Sequence, residues 1–330
     1  MIKKNILVIG AGTWGTAIAN VLADNNNNIY LSSIEPDTIE EINNKNSSQK
    51  YLPNIKLSKN LKAIANYDDF ITKCDIVFIV VPSFIANQVF NDLSQKNNIP
   101  DNCSFVICSK GLDPNSLKIL TNCFAESNKD KKYAVLSGPN FAIEVAQKMP
   151  TITNICSSDQ KVSQDIIKAL NNNYFKAIHD SQPVTAEICG IVKNILAIGC
   201  GIIDGLDLGV NSKAALITYG TQEIKILCKF FNCDGFIATP AGFGDIFLTC
   251  SSSKSRNNSL GNRLALGAKY HDIVKQTNAT YEGAISASSI AKLCQKHSIN
   301  LPLCLEINDI IYGSYSSCKI REKIVKILIN

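Results

Sequence analysis

The first half of the chain alternates short apolar runs with segments of helical periodicity. Residues 6–9 predict a first strand, residues 16–23 a first helix and residues 28–31 a second strand. Later runs predict further strands at 76–81, 104–108 and 133–136. The run at 76–81 is continuously apolar, as expected for a strand buried on both faces of a parallel sheet. This alternation predicts βαβ units that form a Rossmann-like, doubly wound α/β sheet.

The pattern changes after two further predicted strands. Two more apolar runs, 152–156 and 174–178, predict later strands that would suit antiparallel pairing. From about Glu187 the periodicity becomes helical and strand patterns become scarce. The helical segments are 187–203, 212–230, 284–297 and 304–312. We therefore predict two domains, a Rossmann-like domain over residues 1–185 and an all-α domain over residues 186–330.

Composition and charge narrow the choice of partners. The chain has 330 residues, 45% hydrophobic and 18% charged, which is enough for two large buried cores. Its net charge of +5 is only mildly basic, and Lys and Arg are dispersed along the sequence. This pattern does not favour nucleic acid as a partner. A protein that binds small anions is the better interpretation.

Cysteine and histidine usage shows no pattern typical of a metal site. The thirteen cysteines are odd in number and include no C-x-x-C pair, which favours reduced cytoplasmic thiols packed as small apolar residues. The three histidines form no H-E-x-x-H motif, so no metal is predicted. The N-terminus resembles neither a signal peptide nor a transit sequence. Charged or polar residues interrupt each apolar stretch before the roughly 20 residues that a membrane helix needs, so no membrane span is predicted.

A glycine-rich loop follows the first predicted strand. Gly10, Gly12 and Gly15 have G-x-G-x-x-G spacing and lead directly into the first predicted helix. In such a loop the first glycine permits the tight turn, the second admits a pyrophosphate and the third lets helix and sheet pack closely. Glu35 lies about 20 residues further on, where a partner for a ribose hydroxyl belongs. The loop therefore predicts dinucleotide binding, although Glu35 alone could equally be a solvated loop carboxylate.

Turns at the ends of the later strands supply further candidate residues. Lys110 follows the strand at 104–108, and Gly138 and Asn140 follow the strand at 133–136. Because ligands of doubly wound sheets bind at the carboxyl ends of strands, these turns should line one crevice. Lys110 lies between an apolar strand and a glycine, so we expect it to face an anion rather than act as an ordinary surface lysine.

One lysine lies inside an otherwise apolar helical segment. Lys193 follows Ile191 and Val192, where a charge is costly unless it faces a cleft or a carboxylate. Partial burial lowers the pKa of an amine toward values useful for acid–base chemistry. A lysine that extends to the surface along its own stem is an equally acceptable interpretation from the sequence alone.

Two short motifs follow in the helical half. The turn that ends in Asp245 has the pattern Gly-x-Gly-Asp and presents a carboxylate. The tripeptide Ser255-Arg256-Asn257 places a planar guanidinium between two hydrogen-bonding side chains, which suits a phosphate monoester. The tripeptide is common by itself, and the carboxylate turn just upstream strengthens its interpretation.

Together these motifs resemble the bacterial type of NAD(P)-dependent glycerol-3-phosphate dehydrogenase along nearly the whole chain. The resemblance is specific because many motifs occur in the same order. The matching runs are Gly10-Ala11-Gly12-Thr13-Trp14-Gly15-Thr16-Ala17, Lys110-Gly111, Gly138-Pro139-Asn140-Phe141-Ala142, Val192-Lys193-Asn194, Asn211-Ser212-Lys213-Ala214-Ala215-Leu216, Ala241-Gly242-Phe243-Gly244-Asp245, Ser255-Arg256-Asn257 and Glu282-Gly283.

The resemblance implies a role for each candidate residue. It implies Lys193 as the catalytic acid–base group, and NAD(H) or NADP(H) without a metal as the cofactor. The implied substrate contacts are Lys110, Gly138, Asn140, Lys193, Asp245, Ser255, Arg256 and Asn257. The implied cofactor contacts are Gly10, Gly12, Thr13, Trp14, Gly15, Ile34, Glu35, Lys110, Ala142, Arg256, Thr280 and Glu282. Trp14, the only tryptophan, would then cover the dinucleotide with its indole.

Two positions depart from the pattern of the family that the chain resembles. Asn140 stands where many relatives have serine, and since both side chains can donate a hydrogen bond, we expect binding to survive. Ile34 stands where relatives often have Arg or His, which would contact the 2′-phosphate of NADPH. Lys50, in the following loop, is a second cation that could reach the same place. We therefore expect NADH to be favoured or both cofactors to be accepted similarly.

The implied reaction is the reversible reduction of dihydroxyacetone phosphate to sn-glycerol 3-phosphate, which would feed glycerophospholipid synthesis. A homodimer is the expected assembly. A related β-hydroxyacid dehydrogenase or ketopantoate reductase is one alternative, since it would share the fold and a lysine in the helical domain. A non-catalytic dinucleotide sensor is another, against which Lys193, Asp245 and Arg256 argue.

Overall fold

The computed structural model of the protein describes residues 3–96 and 98–329, which divide into two compact units. The first unit comprises Met1–Ser109 and Leu120–Pro183. The second comprises Lys110–Ile119 and Val184–Asn330. The segment Lys110–Ile119 thus belongs with the helical unit, although it lies within the range 1–185 of the predicted Rossmann-like domain.

Within the described residues, eight strands of the first unit form one sheet in the order β3-β2-β1-β4-β5-β6-β7-β8. Strands β1 to β6 run parallel, β7 pairs antiparallel with β6, and β8 pairs parallel with β7. This confirms the doubly wound sheet. The strands are β1 Asn5–Ile9, β2 Asn28–Ser32, β3 Leu61–Ile64, β4 Ile76–Ile79, β5 Ser104–Ile107, β6 Lys132–Ser137, β7 Thr151–Cys156 and β8 Phe175–Asp180.

Strand β3 is the sheet element that the sequence did not predict. It has only four residues, in which Leu61 and Ala63 are buried while Lys62 between them is exposed. Such a short alternation gives a weak pattern. Pairing with β2 at the edge of the sheet provides the hydrogen bonds that hold it in place.

The helices of the first unit connect these strands. Helix α1 is buried over most of its surface, since Ile18, Val21 and Leu22 are fully enclosed. The helices are α1 Thr13–Asp24, α2 Pro36–Lys45, α3 Asp68–Ile71, α4 Ser83–Ser94, α5 Leu120–Ser127, α6 Ala142–Ala146 and α7 Gln160–Leu170.

The second unit is helical, as the sequence predicted. Its core is built around α8 and includes side chains such as Ile195, Ile224 and Ile307 from three different helices. The helices are α8 Pro183–Gly205, α9 Gly209–Phe230, α10 Asp245–Ser251, α11 Arg256–Ala265, α12 Tyr270–Thr277, α13 Glu282–His297, α14 Pro302–Tyr312 and α15 Ser317–Ile329. A π-helical turn, Pro240–Gly244, precedes α10.

Helix α8 is apolar enough to resemble a membrane span. Its 23 residues include an 18-residue window with a mean hydropathy of 1.8, so the expectation that no apolar stretch approaches this length was wrong. All of that window is buried inside the protein. The apolar composition of α8 therefore follows from its place at the centre of a helical core, where every face meets another element.

Helix α11 was not predicted from its sequence, RNNSLGNRLA, which contains several poor helix formers. Close packing against α8 explains its stability. A Cβ at Gly261 would lie 1.9 Å from the carbonyl oxygen of Ile198, and a Cβ at Gly201 would lie 1.9 Å from that of Asn258. The two backbones can approach this closely only because both positions are glycine.

The thirteen cysteines all lie in the described part of the chain, and eleven of them are buried. This agrees with their expected use as small apolar residues. The exceptions are Cys233, which is half-buried, and Cys318, which is exposed.

Candidate functional site

The loop between β1 and α1 has the backbone geometry of a phosphate-binding turn. Gly10 has a φ angle of +109°, and a Cβ there would lie 2.3 Å from the carbonyl oxygen of Val80. A Cβ at Gly15 would lie 1.8 Å from the carbonyl oxygen of Gly10. Gly12 is the N-cap of α1, and the space around the position of its Cβ is open. The loop therefore combines a tight turn, a close helix–strand contact and an accessible backbone, which are the features that a pyrophosphate requires.

The N-terminus of α1 continues this surface. In the part of the chain that the structure describes, no side chain caps this helix end, so its first N–H groups remain available to an anion. Thr13 at the first helical position is exposed. Trp14 is half-buried and packs against the core of the first unit. Its indole thus has a packing role beside the cofactor contact that the sequence predicts.

The carboxylate of Glu35 lies in a hydrogen-bonded cluster after β2. One of its oxygens accepts from Lys50 Nζ at 2.6 Å and from the Tyr51 hydroxyl at 2.9 Å, and the other accepts from Thr38 Oγ1 at 2.7 Å. The hydrogen bond from Lys50, supported by those from Thr38 and Tyr51, lowers the pKa of Glu35 to about 2. Ile34 beside it is 97% exposed and presents an apolar side chain to solvent. Lys50 is thus ion-paired with Glu35, the residue that the sequence predicts to contact the ribose.

The turn after β6 carries three of the predicted site residues. Gly138 packs against β7, where a Cβ would lie 2.9 Å from the Cα of Thr153. Asn140 Nδ2 donates to the carbonyl oxygen of Ile152 at 3.1 Å, and its Oδ1 accepts from Thr153 Oγ1 at 2.9 Å. Ala142 begins α6. The Asn140 amide thus holds this turn against β7, a role in addition to the substrate contact that the sequence predicts.

The second unit brings together three charged residues that are far apart in the sequence. Lys193 Nζ lies 2.5 Å from Asp245 Oδ1, and Lys110 Nζ lies 2.6 Å from Asp245 Oδ2. Lys193 and Asp245 are buried, and the Lys110 side chain is 22% exposed. Gly190, one turn before Lys193 on α8, leaves room for the aliphatic part of Lys110. The sequence left open whether Lys193 faces a carboxylate or extends to the surface. Because its side chain is buried against Asp245, it does not extend to the surface.

The two buried charges of this cluster affect each other's pKa. Burial lowers the pKa of Lys193 to about 8, and the charge of Lys110 acts in the same direction, while Asp245 opposes both. Burial alone would raise the pKa of Asp245, but the two lysines hold it below its usual value. At neutral pH the cluster therefore holds a carboxylate and a lysine whose proton can be released or taken up under ordinary conditions.

Asp245 is held in place by the irregular turn that precedes α10. Thr239 Oγ1 accepts a hydrogen bond from Gly242 N at 3.0 Å. A Cβ at Gly242 would lie 2.2 Å from the carbonyl oxygen of Ile237, so the turn depends on glycine. Thr249, one helical turn after Asp245, donates to the Asp245 carbonyl oxygen at 2.6 Å and lies 3.4 Å from its Oδ1. These contacts aim the carboxylate inward, toward the two lysines.

The tripeptide 255–257 forms the start of α11 rather than a free loop. Ser255 is the N-cap, and its hydroxyl accepts from Asn258 N at 3.3 Å. Arg256 is exposed at the first helical position. A helix N-terminus with an arginine beside it combines free N–H groups, the positive end of the helix dipole and a guanidinium. This arrangement suits a phosphate better than the tripeptide sequence alone suggested.

Asn257 occupies a different position from its neighbour in the sequence. Its Nδ2 donates to Asn194 Oδ1 at 3.1 Å, and its Oδ1 accepts from Gly283 N at 3.1 Å. Asn194 Nδ2 in turn donates to the carbonyl oxygen of Gly190 at 3.2 Å. The buried Asn257 amide thus links α11 to α8 and α13, and both ends of its side chain are engaged within the second unit.

Two further predicted cofactor residues lie at the start of α13. Thr280 is exposed in the segment before this helix, and Glu282 is its half-buried first residue. The backbone N–H of the next residue, Gly283, is the group that hydrogen-bonds Asn257. This hydrogen bond ties the start of α13, where Glu282 lies, to α11 within the second unit.

Asn194 and Thr249 contact predicted site residues, although the sequence patterns assigned neither of them a role. Asn194 directly follows Lys193 and binds Asn257, and Thr249 binds Asp245. Adjacency to a buried lysine and the i, i+4 spacing from Asp245 are signals that could have identified them. Over residues 3–96 and 98–329, no group of three or more His, Cys, Asp or Glu side chains is arranged to hold a metal ion.

Comparison with protein families matches both units of the chain. Residues 5–163 match the family described as NAD-dependent glycerol-3-phosphate dehydrogenase N-terminus. Residues 182–322 match the family described as NAD-dependent glycerol-3-phosphate dehydrogenase C-terminus. The two matches together span most of the sequence and include every residue of the buried lysine–aspartate cluster.

Individual relatives give the same result. The chain is 36% identical over 316 residues to glycerol-3-phosphate dehydrogenase [NAD(P)+] of Maricaulis maris, covering 95% of this chain and 93% of the relative. It is 35% identical over 311 residues to the enzyme of the same name from Coxiella burnetii, covering 94% and 93%. The crystal structure of glycerol-3-phosphate dehydrogenase from Coxiella burnetii superposes with a TM-score of 0.92 at 32% identity, covering 99% of both chains.

A ketopantoate reductase structure from Ralstonia eutropha is more distant. It gives a TM-score of 0.60 at 12% identity and covers 97% of this chain and 99% of its own. A likeness at this identity shows a shared fold and nothing about the substrate.

Proposed function

The chain belongs to the NAD-dependent glycerol-3-phosphate dehydrogenase family, and from this premise we propose that it interconverts dihydroxyacetone phosphate and sn-glycerol 3-phosphate. It is an NAD(P)-dependent oxidoreductase. We further propose that the product feeds glycerophospholipid synthesis. The reaction converts a ketone into a secondary alcohol, so it needs a hydride donor and a group that delivers a proton to the carbonyl oxygen.

The observation that carries this proposal is the buried Lys193–Asp245–Lys110 cluster. Burial lowers the pKa of Lys193 to about 8, so the amine can exchange its proton near neutral pH. In the direction of reduction, protonated Lys193 donates to the oxygen at C2 as negative charge develops there. In the direction of oxidation, neutral Lys193 removes the proton of the C2 hydroxyl. Asp245 orients Lys193, and Lys110 supplies a second positive charge at the same carboxylate.

The start of α11 supports the phosphate specificity of the proposal. Arg256 is exposed beside the helix N-terminus, so its guanidinium can form charge-assisted hydrogen bonds to the phosphate of the substrate. Ser255 and Asn257 shape this helix end through its cap and its link to α8. Gly138 and Asn140, in the turn after β6, are the remaining residues that we propose to contact the substrate.

The first unit fits a dinucleotide. The glycine turn is open at Gly12 and the end of α1 presents N–H groups, so Gly10, Gly12, Thr13, Trp14 and Gly15 would hold the pyrophosphate and its surroundings. A bound NADH or NADPH supplies the hydride. The other residues proposed to contact it are Ile34, Glu35, Lys110, Ala142, Arg256, Thr280 and Glu282.

A direct assay tests the proposed function. Purified protein should oxidise NADH or NADPH when dihydroxyacetone phosphate is added, and it should reduce NAD+ or NADP+ with sn-glycerol 3-phosphate. Ketopantoate serves as the comparison substrate because it carries a carboxylate in place of the phosphate. Turnover of ketopantoate without turnover of dihydroxyacetone phosphate would favour the reductase alternative, and cofactor binding without any turnover would favour a sensor.

We propose in addition that residues 1–185 and 186–330 are the functional domains, and that the protein acts in the cytoplasm as a homodimer. The burial of eleven cysteines as free thiols supports a reducing compartment. Light scattering on the purified protein tests the dimer, and fractionation of cells that express it tests the location.

A further inference from the structure

The cluster around Glu35 has a composition unusual for a site that selects between NADH and NADPH. A carboxylate after the second strand accepts hydrogen bonds from the ribose of NADH and repels the 2′-phosphate of NADPH. Here Lys50 Nζ lies 2.6 Å from Glu35 Oε1, so the negative charge is paired before any ligand arrives. The electrostatic discrimination that Glu35 would exert alone is therefore largely removed.

The hydrogen bonds of Glu35 leave the lysine available. Glu35 accepts from three side chains, those of Lys50, Tyr51 and Thr38. Lys50 carries three N–H donors: one binds Glu35, a second faces Tyr51, and the third stays available to a ligand. The Lys50 side chain is 62% exposed and that of Glu35 is 32% exposed, so the ammonium lies on the solvent side of the pair. A ligand that reaches Glu35 therefore meets the Lys50 cation as well.

A cavity beside this pair is suited to the adenosine end of a dinucleotide. It has a volume of about 580 Å³ and its lining is largely apolar, with Glu40 as the only charged side chain on its wall among the described residues. The lining residues are Ser33, Ile34, Pro36, Ile39, Glu40 and Ala65. An open, largely apolar depression of this kind offers an adenine ring a surface to pack on, whereas a ribose phosphate needs hydrogen-bond donors. Ile34 provides none, which leaves Lys50 as the nearest cation to the cavity-flanking Glu35.

We propose that Lys50 determines the cofactor specificity of this enzyme by binding the 2′-phosphate of NADPH, while its partner Glu35 binds the ribose hydroxyls of NADH. The inference rests on the proposed function, because it assumes that the first unit binds a dinucleotide. The Glu35–Lys50 ion pair would then bind the two cofactors in two different ways. With NADH, the carboxylate accepts from the 2′-hydroxyl and the ion pair stays intact. With NADPH, the remaining N–H groups of Lys50 donate to the phosphate.

The test uses two adenosine fragments that differ only in the group at issue. Isothermal titration calorimetry measures the binding of 2′,5′-ADP and 5′-AMP to the full-length protein at low ionic strength. The wild type should bind both. Lys50→Met, which keeps the length of the side chain and removes its charge, should weaken 2′,5′-ADP about tenfold and change 5′-AMP by less than about threefold.

Two further variants give this test its control and its reciprocal arm. Lys56→Met removes a charge from the same loop, where Lys56 Nζ only approaches the Lys45 carbonyl oxygen at 3.4 Å, so it should leave both fragments unaffected. Glu35→Gln releases Lys50 from its ion pair and should tighten 2′,5′-ADP. For each variant, the ratio of kcat/KM for NADPH to that for NADH should follow the affinity for 2′,5′-ADP: it should fall in Lys50→Met, rise in Glu35→Gln and stay unchanged in Lys56→Met.

Equal weakening of both fragments by Lys50→Met would overturn the proposal, since it would mean that Lys50 merely supports the local structure. An unchanged affinity for 2′,5′-ADP would overturn it as well. Neither result affects the proposed function, which stands or falls on the turnover of dihydroxyacetone phosphate by the wild type. A wild type that turns over NADH while Lys50→Met leaves its cofactor preference unchanged would reject the inference alone.

Discussion

Lys193 Nζ lies 2.5 Å from Oδ1 of Asp245, and both side chains are buried in the helical unit. Two opposing influences act on the pKa of a lysine in such a position. Burial favours the neutral amine and lowers the pKa to about 8, whereas the carboxylate favours the ammonium. The balance between them makes the proton of Lys193 exchangeable near physiological pH.

The pH dependence should be opposite in the two directions of the reaction. Reduction needs the protonated lysine, so its kcat should fall as pH rises through about 8. Oxidation needs the neutral lysine, so its kcat should rise through the same range. Initial rates in both directions, from about pH 6 to pH 10 with saturating substrates, provide the measurement. Parallel profiles in the two directions would contradict the role of Lys193.

Asp245→Asn should move these profiles to lower pH. The carboxylate raises the pKa of Lys193, so its loss leaves burial and the charge of Lys110 to lower that pKa further. The rate of reduction should then decline at a pH below that of the wild type. Asp204→Asn is the control, because Asp204 pairs with Lys213 at 2.5 Å on the more exposed part of the same unit. The control should keep the wild-type profile.

Lys193→Met should lose most of its turnover while it keeps its affinity for the dinucleotide. General acid–base groups typically contribute about 10²–10⁴-fold to the rate. The measurements are kcat with saturating cofactor and the Kd of the cofactor by calorimetry. Lys213→Met removes a half-buried lysine of the helical unit that also pairs with an aspartate, Asp204, and it should retain its rate. A near wild-type kcat in Lys193→Met would refute the assignment.

Arg256→Ala should weaken the substrate phosphate specifically. Hydrogen bonds that involve charged groups contribute about 1.5–3 kcal/mol, so the preference for dihydroxyacetone phosphate over unphosphorylated dihydroxyacetone should fall at least about tenfold. The ratio of kcat/KM for the two substrates is the measurement. Arg263→Ala, in the last turn of the same helix, is the control. An equal loss for both substrates would show that Arg256 does not bind the phosphate.

Gly190→Ala should separate activity from stability. A Cβ at this position would lie 3.1 Å from Cδ and 3.2 Å from Cγ of Lys110, so that side chain must move by a few tenths of an ångström, which disturbs its contact with Asp245. Replacing glycine by alanine within a helix favours folding by up to about 1 kcal/mol. We therefore expect an unchanged or higher midpoint of thermal unfolding together with a lower kcat/KM. A parallel loss of stability and activity would indicate disruption of α8 instead.

The sequence determined those features that depend on local pattern. The continuous apolar runs predicted β1, β4 and β5, because a strand buried on both faces needs apolar residues at consecutive positions. The spacing of Gly10, Gly12 and Gly15 predicted the phosphate-binding turn, because each glycine answers a constraint within a few residues. The family resemblance, carried by ordered motifs, was confirmed by both family matches.

The sequence was less informative where distant residues decide the outcome. Helix α11 has poor helix formers, and its close contact with α8 through Gly201 and Gly261 became evident only in the fold. Likewise, the amide of Asn257 bonds to Asn194 and Gly283, which no spacing along the chain predicts. Tertiary contacts of this kind outweigh the small differences in local propensity.

The environment of Lys193 shows the same division. The sequence identified a lysine within an apolar segment and left open whether it reaches the surface. The tertiary structure decided this by placing Asp245, 52 residues later, at hydrogen-bond distance in a buried position. The ion pair of Glu35 with Lys50 likewise required the fold of the loop after α2. Periodicity and spacing are local and can be read along the chain, whereas burial and charge pairing depend on which distant segments meet, and these determine the pKa of a side chain and its chemistry.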